Sequence, residues 1–470
     1  MRMRIKRTNN KQFFRKKIAD LLPNNAKYKT INKSINNTWF NSKFTKSKSD
    51  NTPLFPIMNN DDNDNTPLLR VRKVEILFTN PQKNIINEWL QLYKYIYNVT
   101  VKYIRLNPNV SKTFYTLRPI IKNSLNSSIK LRIKKSKIPS HTIDNAINDV
   151  TKAYKTSFAL LKNKRINHFL VRYKKNNSKE SLTLESSCFP SYVLLKKKEK
   201  QDKITDIDER NNLQDIDLNT APNTFCPSIF GKEIKSVEAI NQIFHDCKLS
   251  YHKGTDKYFI FIPIERNREI SQNQDTAILD PGMRTFQTCY SKNNIIDYGN
   301  NVSIEIKKQL KKADKYNKKE SYNRRVYYRT LNHIQNLTNE LHHKVSNDLC
   351  KRYNCVIIGR LSTIGTNNKK TSCLTKMTKR ILQNLSHFRF REILKAKCEE
   401  RGVKYFEVNE DYTSKTCSHC GNYKKDLGGV KTYKCKKCKI TLDRDQNGCR
   451  NIFIKNYTSI KEDLIKKGYM

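Results

Sequence analysis

No stretch of this sequence approaches the roughly 18 to 20 consecutive apolar residues that a bilayer-crossing helix requires. Its most hydrophobic run, Tyr258 to Ile264, has the length and composition of a strand. The first residues, MRMRIKRTNN, carry basic groups without an apolar core, so no secretory leader is read there. The chain is therefore expected in an intracellular, reducing compartment, with a nucleus as one candidate destination for so basic a first segment. Acidic residues are scarce: 43 Asp and Glu face 92 Lys and Arg, a formal net charge of +49. That excess goes beyond what solubility needs and strains a compact fold by self-repulsion. A polyanion is the expected partner, nucleic acid rather than membrane, and its binding should weaken as salt rises. A regular cysteine framework is also lacking. The 13 cysteines are odd in number and mostly irregular in spacing, which argues for buried thiols plus one metal site rather than disulfides.

What is present supports two or three domains, since 37% of 470 residues are apolar. Residues 1–66 are rich in Asn, Lys, Ser and Thr and read as a disordered basic extension, either a plain linker or a tail that grips nucleic acid. Residues 67–271 read as strands around a helical insert at about 83–175. LRVRKVEILF alternates as a strand, while Ile86, Trp89, Leu90, Tyr93, Ile96 and Tyr97 share one helix face. HFLVRYKK, SLTLESS and CKLSYHKGTDKYFIFIPI read as further strands, and the polar segment 196–222 as a surface insertion. From 272 strands alternate with helices, the pattern of an α/β layer fold. TAILDPGMRTFQTCYS is strand, turn, strand; 303–352 and 376–401 are helical; CVIIGRLS and GVKYFEVNE are strands; 457–470 is a basic tail. Tyr327 and Tyr328 in RRVYYR admit either base stacking or packing of a helix on its sheet.

CSHC at 417–420 and CKKC at 435–438 enclose fourteen residues between them. Two residues between thiols let both reach one ion, so Cys417, Cys420, Cys435 and Cys438 supply the four soft ligands of a closed tetrahedral Zn²⁺ site. Such a site has no open position for substrate, which makes the zinc structural. His419, inside the first knuckle, is expected to be exposed rather than a ligand.

Three carboxylates stand out. Asp280 ends a buried strand before Pro281-Gly282 and is either a cap for that turn or part of a charged site. Asp445 precedes a helical run and reads equally as an N-cap or a functional group. Alternation puts Glu410 on the same face as Phe406 and Val408, with Glu407 opposite, and an acid on the apolar side calls for a cation. Together they suit Mg²⁺, which takes hard oxygen ligands, and a pair of such ions can activate water for phosphodiester cleavage.

LDPGMRTF, VNEDYTSKTCSHCG and YKCKKCKITLDRDQNGCRNI closely resemble the RuvC-like nuclease and zinc-finger region of the TnpB (OrfB) family of insertion-sequence proteins and of its Fanzor-like branch in eukaryotes and large DNA viruses. The resemblance is strongest over 275–456. It extends more weakly to FTNPQKNIINEWLQLYKYIYNVTV and HFLVRYKK, which are similar to that family's amino-terminal wedge and recognition region. It implies an RNase H-like (RuvC) α/β domain at 272–416, a zinc finger at 417–438, a last RuvC segment at 439–456 and a β-barrel-like wedge carrying the recognition insert. It also implies a DNA endonuclease guided by an RNA from the same element, cutting beside a short flanking motif, with base pairing reading the sequence. By this resemblance Asp280 is the first acid of the site and Asp445 the last. The usual middle glutamate follows a strand that here reads VIIGRLS, with Gly359 in its place. The Fanzor-like branch is similar in having lost that glutamate and in carrying another before YTSKTC, here Glu410. Either Glu410 has taken over the role or the protein is an inactive nucleic-acid binder; the strand-face argument favours takeover, with Asp411 and Glu407 as poorer candidates.

Overall fold

The computed structural model describes residues 29–34, 41–46, 67–175, 179–202, 216–269, 275–292, 294–318, 322–361, 374–428 and 430–468. They form two compact units, Leu69–Arg266 and the remainder of the chain. Two strands fall inside the segment expected to be a disordered extension, β1 (Lys29–Ser34) and β2 (Asn41–Lys46). They pair with each other, and β2 continues onto a strand of the second unit. An uncovered edge strand presents unpaired N–H and C=O groups, and this hairpin satisfies such an edge. The rest of that segment lies outside the described residues.

The Leu69–Arg266 unit comprises β3 (Leu68–Ile76), α1 (Asn80–Leu106), α2 (Phe114–Ser124), α3 (Ser127–Ser136), α4 (Ser140–Lys162), β4 (Lys179–Leu184), α5 (Pro190–Gln201), β5 (Cys247–His252) and β6 (Lys257–Arg266). All six expected apolar positions of α1 are buried. Its strands run in the order β3-β6-β5-β4. Among the described residues this is a four-stranded sheet, with the end of β3 also bridged to Ser236, and it does not confirm the β-barrel-like expectation. HFLVRYKK is not a strand either. Asn98 of α1 engages the backbone of Lys174, donating to its carbonyl at 3.0 Å and accepting from its N–H at 2.7 Å. Side-chain partners of this kind satisfy the segment's backbone without a sheet ladder.

The second unit comprises β7 (Thr276–Pro281), β8 (Gln287–Tyr290), β9 (Asn294–Asn300), α6 (Val302–Lys315), α7 (Arg324–Arg352), β10 (Cys355–Gly359), α8 (Lys376–Leu385), α9 (His387–Glu400), β11 (Lys404–Val408), β12 (Thr432–Lys434), β13 (Thr441–Asp443) and α10 (Arg444–Lys466). The helix expected over 376–401 is two helices, broken at Ser386, whose φ is 48°. The basic tail expected from 457 instead continues α10, because Ile460 and Leu464 are buried against the sheet. The sheet order is β1-β2-β9-β8-β7-β10-β11. β9, β8 and β7 are antiparallel, whereas β7, β10 and β11 are parallel. This mixed order agrees with the RNase H-like α/β expectation.

Strand alternation divides the core between two faces. Ala277, Leu279, Val356 and Ile358 pack with residues of α6 to α9. Ile278, Cys355, Ile357 and Phe406 pack with α10 through Cys449, Ile452 and Phe453. Successive strand residues point oppositely, so Asp280 and Gly359 belong to the α10 face.

Candidate functional site

β7, β10 and β11 run parallel, so their carboxyl ends share one edge of the sheet, at the point where the antiparallel β8-β7 pairing gives way to the parallel β10. In open α/β sheets this is where ligands gather. Asp280 stands at the end of β7, Gly359 at the end of β10, and Glu410 two residues beyond β11. The helix that closes this edge, α10, brings Asp445 in its first turn. Asp443 is the N-cap of α10, its Oδ1 accepting from the N–H of Asp445 at 2.9 Å and of Gln446 at 3.3 Å. The capping alternative for Asp445 is thereby resolved, because its neighbour does that work.

Two glycines let the carboxylates in. A Cβ built on Gly359 would collide with Glu410 Oε2 and lie 3.2 Å from Glu410 Cβ. A Cβ on Gly448, one helical turn after Asp445, would collide with Asp280 Oδ2. Glu410 Oε2 is buried and has no hydrogen-bond partner. A buried acceptor left in that state costs free energy unless a cation or proton arrives.

The electrostatics agree with a site short of positive charge. Burial raises the Asp280 carboxyl well above the usual range, and the charges of Glu410 and Asp445 raise it further against Arg444. Burial pushes Glu410 up to about 7, with Arg391 opposing and Asp411 adding. Asp445 is also raised, by burial and then by Asp443, against Lys431, Arg444 and Arg284. Of the poorer candidates, Glu407 is taken by Arg360 at 2.8 Å and Arg391 at 2.9 Å. Asp411 is exposed, its N–H held by Asn409. Sequence reasoning missed Asp297. Its register neighbour Thr288 is also the neighbour of Asp280, and burial pushes its carboxyl up to about 6 while the Thr288 hydroxyl donates to it. The signal was available only through strand register.

The three carboxylates face one region without sharing a single coordination sphere. Among the described residues, the group of Cys, His, Asp and Glu whose ligand atoms all lie within 4.8 Å of one another is Cys417, Cys420, Cys435 and Cys438. Outer ligands of a two-ion centre need no such closeness, because the ions themselves sit roughly 3.5–4 Å apart.

The cysteine cluster fits zinc on its own geometry. Cys417 Sγ lies 3.7 Å from Cys438 Sγ, and Cys420 Sγ 3.6 Å from Cys435 Sγ. Zn–S bonds of ~2.3 Å give a tetrahedron with edges of about 3.8 Å. None of the four is in a disulfide. Burial raises the Cys435 thiol, but N–H groups of Cys438 and Lys437 and the neighbouring thiols bring it down to about 6. His419 is exposed, as expected. The cluster is tied to the carboxylate edge through α10. Asn447 accepts from the Ser418 N–H at 2.9 Å and donates to the Thr416 carbonyl at 2.8 Å. Asn451 donates to the carbonyls of Thr413 at 2.9 Å and Thr416 at 2.6 Å.

Comparison with known proteins finds likenesses over much of the chain. A family profile described as Cas12f1-like, TNB domain, matches residues 387–452, a span that holds Glu410, the four cysteines and Asp445. TnpB-like protein L79 of Acanthamoeba polyphaga mimivirus is 28% identical over 422 residues, covering 83% of this chain and 74% of that protein. The CRISPR-associated endodeoxyribonuclease Cas12f1 of Sulfoacidibacillus thermotolerans is 37% identical over 90 residues, 18% of this chain and 21% of that one. A chain from a Cas12f1-sgRNA-target DNA complex aligns over 82% of this chain and 98% of its own length at 14% identity, with a TM-score of 0.30. That score is too low to carry the fold, which rests on strand order.

Proposed function

The chain belongs to the TnpB family, and from that premise we propose that it is an RNA-guided, Mg²⁺-dependent DNA endonuclease of a mobile element. The observation that carries this reading is the buried, unpartnered Glu410 Oε2 lying against Gly359. It offers a carboxylate at the place where the strand β10 brings none. Asp280, Glu410 and Asp445 are the residues that would hold the divalent ions, hard oxygen donors of the kind Mg²⁺ takes. When bound, the ions would supply the charge that activates water and stabilises the leaving oxygen of the phosphodiester.

The protein's own residues provide the setting. Asp280 is shared between the other two acids, fixed by the end of β7 and by its close approach to Gly448. Burial keeps water from competing for the carboxylates, and Arg391 moderates the charge on Glu410. Cys417, Cys420, Cys435 and Cys438 would hold Zn²⁺ as a structural ion, which through Ser418, Thr416 and Asn447 keeps α10 and Asp445 in register with the turn that bears Glu410. The net charge of +49 suits a guide RNA and a DNA target. In the Leu69–Arg266 unit, a cleft of about 880 Å³ lined by Lys94, Lys102, Arg132, Lys253 and several tyrosines supports the same partners. No helix among the described residues is long and apolar enough to cross a membrane.

The test is plasmid cleavage with a fixed target beside a randomised flank, using protein expressed with its native downstream DNA, in Mg²⁺ and in EDTA. Cutting at one enriched flank, lost in EDTA, supports the proposal. Salt-sensitive binding of RNA and DNA without any divalent-dependent cutting would replace it with the second reading, an inactive binder in which Gly359 marks a lost site.

A further inference from the structure

Tyr412 and Tyr423 form an exposed aromatic corner between the turn that bears Glu410 and the first cysteine knuckle. Their ring centroids lie 6.0 Å apart with the planes at 71°. They are 68% and 48% exposed. Tyr412 has φ 64°, in the left-handed region that a bulky side chain enters only under strain. That conformation is held from both sides. Thr413 donates to the Glu410 carbonyl through its N–H at 3.2 Å and its hydroxyl at 2.8 Å. Lys415 N–H at 3.2 Å and Thr416 Oγ1 at 2.9 Å donate to the Tyr412 carbonyl. Tyr423 is fixed by its bridge to Thr416 and by the Lys424 N–H donating to the Lys415 carbonyl at 2.9 Å.

A strained backbone that turns a ring outward needs a reason other than core packing. An edge-on contact covers one face of one ring, so this pair leaves its other faces uncovered by the partner. Lys424 and Lys425 follow Tyr423 directly, and Lys415 precedes Thr416, the bridge partner of Tyr423. An aromatic face flanked by cations is what a single strand uses, the base stacking while the phosphates are neutralised. Resting on the nuclease reading above, we propose that Tyr412, braced by Tyr423, is a stacking platform for one base of the single-stranded DNA led to the carboxylate site. Tyr412 is thus a substrate-positioning residue, two positions from Glu410.

The test uses the full chain with its copurified RNA, Mg²⁺ withheld, and single-stranded oligonucleotides carrying 2-aminopurine at each position in turn. Wild type and Tyr412→Phe should quench the probe at one position. Tyr412→Asn should lose that quenching, and its Kd for the oligonucleotide should rise about five- to a hundredfold, with affinity for an abasic oligomer unchanged. Asn tolerates the left-handed region, so this variant relieves the strain; a purely structural Tyr412 would give a more stable protein with undiminished binding. Zinc content reports that the knuckles remain folded, and Tyr423→Leu provides a second variant that leaves the Tyr412 backbone alone. Quenching retained in Tyr412→Asn, or absent from wild type at every position, overturns the platform. Because this readout needs no cleavage, it decides the stacking separately from the nuclease assay, in which loss of Mg²⁺-dependent cutting by wild type would remove the nuclease reading alone.

Discussion

Glu410 fills the space that a side chain on Gly359 would enter, its Oε2 against the glycine and its Cβ 3.2 Å from where the missing Cβ would stand. The acid therefore comes from the neighbouring strand's extension and reaches the end of β10 from the side. Glu410→Gln should lower Mg²⁺-dependent cleavage by more than the ~100-fold that outer-shell changes cost a metal site. Binding of RNA and DNA should persist, and a variant that cuts as well as wild type would remove Glu410 from the mechanism.

The same relationship predicts a swap. Gly359→Glu alone forces a side chain into Glu410 and to within 3.2 Å of Ile452 Cδ1, so it should be destabilised and inactive. Gly359→Glu combined with Glu410→Ala removes the colliding carboxylate, leaving the 3.2 Å approaches of the residue-410 Cβ and Ile452 Cδ1, and should regain part of the cleavage. Recovery is read in the plasmid assay against both single variants; a double variant no better than Glu410→Ala would mean that the two positions do not share one role.

Gly448 gives the parallel case on α10. Its missing Cβ is occupied by Asp280 Oδ2, and overpacking of this kind costs about 1–3 kcal/mol. Gly448→Ala should shift the urea midpoint accordingly and displace the Asp280 carboxylate, cutting activity further than the stability loss explains. Unchanged stability and activity would show that Asp280 can move aside freely.

Zinc removal should reach the carboxylate edge through Ser418, Thr416 and Thr413, whose backbone groups are held by Asn447 and Asn451. Cys435→Ser should lose the metal by elemental analysis, lower the thermal midpoint and weaken cleavage at saturating Mg²⁺. Asn451→Ala takes the donor from the Thr413 carbonyl, while Asn447 still serves that of Thr416, at a cost of about 1–3 kcal/mol, and should depress cleavage while zinc stays bound. Full activity in either variant would uncouple the two centres.

Acid should weaken the second unit through two buried histidines. His342 and His387 sandwich Phe286 with ring centroids 5.2 and 5.0 Å away. Burial lowers His342 from 6.5 to about 4, with Arg389 and His343 adding and a bond to the Leu385 carbonyl opposing. Burial lowers His387 to about 3, with His342 and Arg391 adding. A base depressed in the folded state takes up a proton on unfolding, so its stability is present above the unfolded value and lost as the pH falls toward the folded one. The loss is about 1.4 kcal/mol per pH unit for each. Glu410 acts oppositely, because a carboxyl raised to about 7 keeps a proton that the unfolded chain has released. The measurement is therefore a difference: the urea-derived stability gap between wild type and His342→Gln should shrink by about 1 kcal/mol from pH 7 to pH 5.5. A constant gap would place His342 outside this linkage.

The four-cysteine cluster was legible from sequence alone, because two Cys-x2-Cys knuckles bring their thiols together by local reach, and the buried face of α1 was legible because helical periodicity is local too. Strand alternation placed Glu410 on the α10 side for the same reason. Segments whose partners lie far along the chain were not legible. HFLVRYKK has strand-like composition, yet Asn98 takes up its backbone, and the strands β1 and β2 depend on an edge at β9 that no local pattern reveals. Asp443 and Asp445 both suit an N-cap, and only the start of α10 in space decided between them. Asp297 entered the acidic group through cross-strand register, and the two empty Cβ positions at Gly359 and Gly448 became meaningful only beside carboxylates from other elements. Period and ligand spacing are properties of a chain segment, whereas close approach, desolvation and the mutual repulsion of charges are properties of the packed whole.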